Sequence, residues 1–373
     1  MLKSRSIYLA KISRCVDSAT PARKIQERFR YHLQRQSFGE KIMRRLAQIH
    51  QHARLKMDYV LIDDSDISKP YARKMENLGM VRDGSQSTRK KVVLTPGYHW
   101  LNVLGVRQGE LKPLDSCVYS AQSVRAHEKS QNSKILSMIE RLAFVLGVIV
   151  MDRGGDRRVL IKAFLAQSRH FIIRQNGTRH VGFRKRVGSI RHLARKVQLT
   201  HRLRLPDGVR HIGITKVQWL LDDLKTPSPH ALYMLVMRGE RGQQSYYLCH
   251  LPTSNHWQAM SMAITGYGHR WSIEEYHRQV KQDFSLEKIK VMTYPAIQNL
   301  TLIVLILLVF LAKLPQRLLL ELFTLARLMD GGLKHLPDYL FYKITEAVHV
   351  LLRSTVSRQP IPQPISLNLC LNL

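Results

Sequence analysis

Two short apolar runs in the chain each close on acid: YVLIDD at 59–64 and VIVMD at 148–152. A run of that length and composition reads as a buried strand. Between and beyond the two, apolar residues recur at helical spacing, with a helix expected over Ser133–Leu146 capped by Gly147 and another over Asp156–Gln167. Lys91–Leu94 and Trp100–Val106 read as two more strands around a Pro96-Gly97 turn, and His170–Gln175 as another. Strands alternating with helices require a mixed α/β sheet, which buries its core on both faces. That pattern constrains the fold more than any other feature of the chain.

The flanking text differs. Residues 1–56 are rich in Arg, Lys, Gln and His, with apolar stripes at Ile25, Phe29, His32 and Leu33 and at Ile42, Leu46 and Ile49. Two or three short helices with basic faces are expected there. They serve either as a solvated cap or as a module that contacts DNA. Over 176–255 a cluster of Arg, Lys and His at 179–204 precedes strand-like runs at 217–221, 231–237 and 245–251. These suggest an antiparallel insertion within the α/β region. From His256 the period is helical to about residue 353, and a proline-bearing tail follows. The expected divisions are therefore 1–56, 57–175, 176–255, 256–312 and 313–373.

Charge narrows the partners. The 373 residues carry 59 Lys and Arg against 27 Asp and Glu, a formal net charge of +32. Such an excess repels itself and attracts polyanions. The 45% of hydrophobic residues excludes wholesale disorder. Cys15, Cys117, Cys249 and Cys370 form no metal-ligand spacing and no disulfide framework, which fits a reducing cytosol. The N-terminal stretch carries no signal-peptide pattern. The apolar stretch Leu300–Ala312 is shorter than the roughly 20 residues of a spanning helix, so a buried core helix and no membrane association are expected.

Asp64 and Asp152 sit at strand ends, where open α/β sheets gather ligands. Taken singly, each acid reads as a turn or cap residue. A third carboxylate is needed before a metal site is plausible. The segment YGHRWSIEEYHRQVKQDF at 267–284, read as one helix, brings Tyr267, Arg270, Glu274 and Lys281 within about 60° of one another. Ile273, Tyr276, Val280 and Phe284 share a different face, which can pack on the sheet. A mixed Arg, Glu and Lys face is ordinarily a solvated salt-bridge face. A tyrosine on it and Trp271 beside it argue for a site.

The order Tyr267-x2-Arg270-x3-Glu274-x6-Lys281 resembles the tyrosine–arginine–glutamate–lysine signature of bacterial insertion-sequence transposases of the DDE superfamily, in the group often called the IS-four family. HRW at 269–271 and IEEYH at 273–277 extend the likeness. LIDDSDISKP resembles the family's first-aspartate motif and VMDRGGDR its second. The intervals are 88 residues from Asp64 to Asp152 and 122 from Asp152 to Glu274. The resemblance covers about 58–312 and implies a ribonuclease-H-like catalytic domain. A β-rich insertion would lie between the second Asp and the Glu, with helical parts at either end of the chain. It implies Asp64, Asp152 and Glu274 as an acidic triad that holds two Mg²⁺ ions, with Mn²⁺ able to substitute. Tyr267, Arg270 and Lys281 would contact DNA, Trp271 would pack or contact DNA, and Tyr246 would stack on a flipped base or fill a strand face. The partners implied are double-stranded DNA, both terminal inverted repeats and target. A homodimer would bring two ends together in the bacterial cytoplasm, at the nucleoid.

The physical logic is metal-assisted phosphoryl transfer. Hard divalent ions take oxygen ligands, and a pair of them can stabilise both the attacking and the leaving oxygen of an in-line displacement. Asp63 competes with Asp64 for the first position, because neighbouring strand residues face opposite ways. Asp64 is preferred here because Ser65 follows it, where relatives often carry Thr or Ser. Asp66 and Asp156 suit turn or cap roles, and Glu275 points about 100° away from Glu274. Two competing readings remain: a nuclease of the same fold that cuts without joining, and a DNA-binding relic without catalysis.

Overall fold

A computed structural model describes the chain except residues 53–55, 84–85, 89–90, 124–129, 185, 206–207, 221–226, 330–339 and 355–373. The expectation for the proline-bearing tail falls outside the described residues. Three helices lead: α1 (Leu9–Arg14), α2 (Ala22–Leu33) and α3 (Gln36–His52). Then come strands β1 (Lys56–Ser68), β2 (Gly79–Arg82), β3 (Leu94–Arg107) and β4 (Glu110–Tyr119). Helix α4 (Gln131–Arg141), strand β5 (Leu146–Met151), helix α5 (Arg158–Ala166) and strand β6 (Phe171–Gln175) follow.

β1 pairs antiparallel with β3, and β3 with β4. On its other side β1 is parallel to β5, and β5 to β6. The chain crosses between parallel strands through α4 and α5, as parallel pairing requires. The mixed α/β class is thus realised.

Next come β7 (His180–Phe183), β8 (Arg186–Ser189), the one-turn α6 (Ile190–Leu193), β9 (His201–Leu205), β10 (Gly208–Leu220), β11 (Pro227–Gly239) and β12 (Gln244–His250). This region is antiparallel, as its turn-punctuated strands imply. It is not a separate body, because β12 pairs with β6 and continues the same twelve-stranded sheet.

Helices α7 (His256–Gly268), α8 (Arg270–Asp283), α9 (Tyr294–Leu311), α10 (Gln316–Met329) and α11 (Leu340–Ser354) close the described chain. The segment 267–284 is two helices, not one. His269 stands between them with near-helical dihedrals, so Tyr267 belongs to the last turn of α7.

Two cores flank the sheet. Tyr59 and Leu61 of β1 face a core shared with α7, α8 and α9, while Val60 and Ile62 face one shared with α4 and α5. This is the period-2 alternation of a strand buried on both sides. Helix α9 is 18 residues long and apolar enough to cross a membrane, yet 67% of it is buried. The Asn299 side-chain amide on it donates to the carbonyls of Leu33 and Arg35 at 2.8 and 2.9 Å. The leading helices are therefore not a detached arm. Ile7, Leu9 and Leu33 lie in the core that holds α8, and the Ile7 N–H donates to the Phe284 carbonyl at 2.9 Å.

Two local expectations fail for one reason, close approach of neighbouring backbone. Pro96 and Gly97 do not turn the chain but run inside β3, opposite β2. A Cβ on Gly97 would lie 2.6 Å from the Ile67 carbonyl oxygen, so glycine is what lets β1 and β3 pair there. Gly147 does not cap α4, which ends at Arg141, but lies in β5 against the Met57 carbonyl. Separately, α5 starts at Arg158 rather than Asp156, whose carboxylate pairs with Arg179 at 2.6 Å.

Candidate active site

The site follows from strand register. Leu61 lies opposite Val150 where β1 and β5 run parallel. Two residues further, Asp63, within β1, and Asp152, just past the end of β5, lie on the same face. That face belongs to the core that contains Leu61, Val150 and the α8 residues Ile273, Tyr276 and Val280. Glu274, the neighbour of Ile273, stands in the second turn of α8 above it.

Arg270, one turn earlier, pairs with Glu274 and lies 3.8 Å from the Asp63 carboxylate. Asp152 also caps the turn after β5, accepting from the Gly154 N–H at 2.6 Å. Burial, and then the charge of Asp152, push the Asp63 carboxyl up to about 7 against the pull of Arg270.

Asp64 faces the other way. Its Oδ2 accepts from the Tyr119 hydroxyl at 2.8 Å and the Gln131 amide at 3.0 Å, and lies 3.2 Å from His99 Nδ1. Tyr119 belongs to the core of α4 and α5, and His99 stacks on it with ring centroids 4.7 Å apart. Asp63, not Asp64, thus lies on the side of β1 that meets Asp152 and Arg270. The runner-up acids are engaged elsewhere. Asp66 takes Ser68 and Lys281, Asp156 takes Arg179, and Glu275 takes Arg278 at 2.7 Å.

The expected DNA contacts divide. Tyr267 forms an edge contact with Tyr247 and sits below the Arg270 guanidinium, which is 5.7 Å from its ring. Lys281 is 3.1 Å from Asp66 and 3.4 Å from Glu287, at the far end of the same helix face. Trp271 is 55% exposed, so it is open to a partner rather than packed away. Tyr246 is buried, with its hydroxyl on Gln244 at 2.6 Å and its ring against Gly177. It fills a strand face and presents no ring for a base.

Three residues escaped the sequence reading. Asn102 stands opposite Asp63 on β3, fully buried, with its amide 3.1 Å from His277 Nε2. Burial, then Lys281 and Arg270, hold His277 down to about 3, so its ring is neutral and Nε2 accepts from that amide. This contact ties α8 to β3 directly beside Asp63. Arg174 of β6 reaches Ser245 at 3.3 Å and the Tyr267 hydroxyl at 3.5 Å, and its buried Nε has no partner among the described residues. A lone Asn inside the apolar run WLNVLGV and an Arg inside FIIRQ were the available signals.

The donor set suits a hard divalent ion. Its ligands would all be carboxylate oxygens, and Asp63 is raised by burial first and then by the charge of Asp152. In the folded chain Arg270 supplies that charge, and among the described residues no three acid, His or Cys side chains converge to hold an ion.

A pH effect follows. The Asp63 carboxyl titrates higher folded than unfolded, where about 4 is normal. Its contribution to stability is therefore full below about 4 and is lost as pH rises through about 7. In chelator, the melting temperature of the wild-type chain should fall over that window more than that of Asp63→Asn. Parallel curves for the two proteins would contradict the assignment.

A family model described as a transposase DDE domain matches residues 55–310. The chain belongs to that family. The matched span runs from β1 to α9 and holds every acid named above. As a class, DDE transposases use divalent metal ions. No curated protein matches the chain. Among solved structures it is similar to a piggyBac transposase in a synaptic complex with hairpin DNA, at 8% identity and a TM-score of 0.43. The match covers 85% of this chain, which spans 61% of the length of that one.

Proposed function

We propose that the chain is a DNA transposase of the IS-four group, with a ribonuclease-H-like core and Asp63, Asp152 and Glu274 as its acidic triad. The observation that carries this reading is the shared face. Asp63 and Asp152 project from adjacent parallel strands toward the helix that bears Glu274, with Arg270 among them. The triad would hold two Mg²⁺ ions, with Mn²⁺ as a substitute, and these would supply an activated water and charge stabilisation at phosphorus.

The chain's own groups do the rest. Arg270 can exchange its carboxylates for a bidentate grip on phosphate, and Lys281 gives a point charge two turns beyond Glu274 on the same face. The Tyr267 hydroxyl can donate to a phosphate oxygen, and exposed Trp271 can lie against the DNA. The Asn102–His277 contact holds α8 at a fixed height over Asp63. The first reaction is hydrolysis of a phosphodiester at the element's end. The released 3′-OH then attacks a second DNA in the same site. Two ends are served by two copies of the chain at the nucleoid, and the basic helices within 1–56 contribute to end recognition.

The test incubates the purified chain with Mg²⁺ and a duplex copied from the DNA that flanks its reading frame. Cleavage that leaves a 3′-OH, followed by joining to a second duplex, is expected. Cleavage without joining would support a nuclease instead, and an intact duplex would overturn both.

A further inference from the structure

Past the acidic site, the end of β1 opens into a groove of about 860 Å³. Its floor is the Ser68-Lys69-Pro70 continuation of β1, and residues 71–75 and 287–290 line its sides. The Lys69 ammonium is buried and donates to the carbonyls of Glu287 and Ile289, which ties floor to wall. The groove is therefore built, not a gap between loose loops. Lys11, Arg73, Lys74, Lys288 and Lys290 line it and are exposed. Lys290 lies over the Tyr8 ring at 5.0 Å, and the other four form no ion pair among the described residues. The lining holds one acid, Glu287, and Lys281 already stands 3.4 Å from it. Tyr71 at the rim is 95% exposed.

Unpaired cations around a fully exposed aromatic ring are the combination that binds single-stranded nucleic acid, by phosphate contacts and base stacking. Ser68 lies five residues along β1 from Asp63, about 17 Å of strand, a span of a few nucleotides. A strand seated in the groove thus leads into the acidic site. We propose that this groove holds an unpaired stretch of the element's own end, with its phosphates on Arg73, Lys74 and Lys288 and one base stacked on Tyr71. The element's end is favoured over target DNA by the ring. A target duplex arrives paired and offers no free base face, whereas an end opened at the cut does. The inference rests on the transposase reading above.

The experiment measures binding by fluorescence anisotropy on the full chain carrying Asp63→Asn, so that nothing is cut. One probe is the flanking duplex with an unpaired 3′ tail, and the other is the same duplex with a blunt end. Tyr71→Ala should weaken the tailed probe by about tenfold, within the stacking range of about 1–3 kcal/mol per base, and leave the blunt probe unchanged. Because the Tyr71 ring packs on nothing, its removal should leave the fold intact. Changing Arg73, Lys74 and Lys288 together to Gln should lower the salt slope on the tailed probe by about two, at roughly 0.7 per single-strand phosphate.

Equal losses on both probes would make duplex target the occupant and overturn the proposal. Parental affinity for the tailed probe in Tyr71→Ala, or an unchanged salt slope in the triple variant, would overturn it too. Binding does not need catalysis. A chain that fails the cleavage assay but shows Tyr71-dependent tail binding would refute the enzyme and keep the groove.

Discussion

Asp63→Asn is expected to lower metal-dependent cleavage of a DNA end by about a thousandfold or more, and Asp152→Asn and Glu274→Gln likewise. Ligated metal contributes several kcal/mol of charge stabilisation at the transferred phosphoryl group, and about 1.4 kcal/mol is tenfold in rate. Asn and Gln keep the size of each side chain, so the fold and DNA binding should persist. Asp64→Asn is the decisive comparison. Asp64 touches Tyr119, Gln131 and His99 on the opposite face. Its loss should act only by shifting β1, in the roughly 10- to 100-fold range of a supporting contact. An Asp64→Asn protein as inactive as Asp152→Asn, beside an active Asp63→Asn, would reverse the assignment.

Arg270→Ala should produce two opposite effects. In chelator it removes the cation that neutralises Asp63 and Glu274 and leaves acids facing one another. Thermal stability should drop, by about 2–3 kcal/mol once partial exposure is allowed for. Added Mg²⁺ should recover more of that loss in the variant than it adds to the wild-type chain, because the ions no longer compete with a guanidinium. Meanwhile the complex with a cleaved end should weaken by roughly 30-fold or more, the usual cost of truncating one partner of a desolvated charge pair. Arg270→Lys should restore stability better than end binding, since a lysine supplies charge without the planar fork. Unchanged stability in chelator together with unchanged end binding would remove both roles.

Much of this molecule was legible beforehand. The strands around YVLIDD, VIVMD and FIIRQ and the helical reading of the Glu274 segment needed only period and composition. Where reading failed, a distant neighbour had decided the outcome. Gly97 and Gly147 look like turn and cap residues until another strand's carbonyl is found against them. Tyr246 looks like a free ring until the alternation of β12 is known to face it into a core. Residues 1–56 read as a solvated cap or a DNA-contacting module because nothing local shows that Ile7 and Leu33 share a core with α9.

The sequence by itself determined the fold class, the acidic residues available for metal, the polyanionic partner and the helix that carries Glu274. Each depends on local period, side-chain chemistry or net charge. The tertiary structure alone decided which of two adjacent aspartates faces Asp152 and Arg270. Alternation says that Asp63 and Asp64 point opposite ways, but not which side is covered by α8. That depends on the pairing of β1 with β5, whose last partners, Leu61 and Val150, are 89 residues apart, a separation for which no local signal exists.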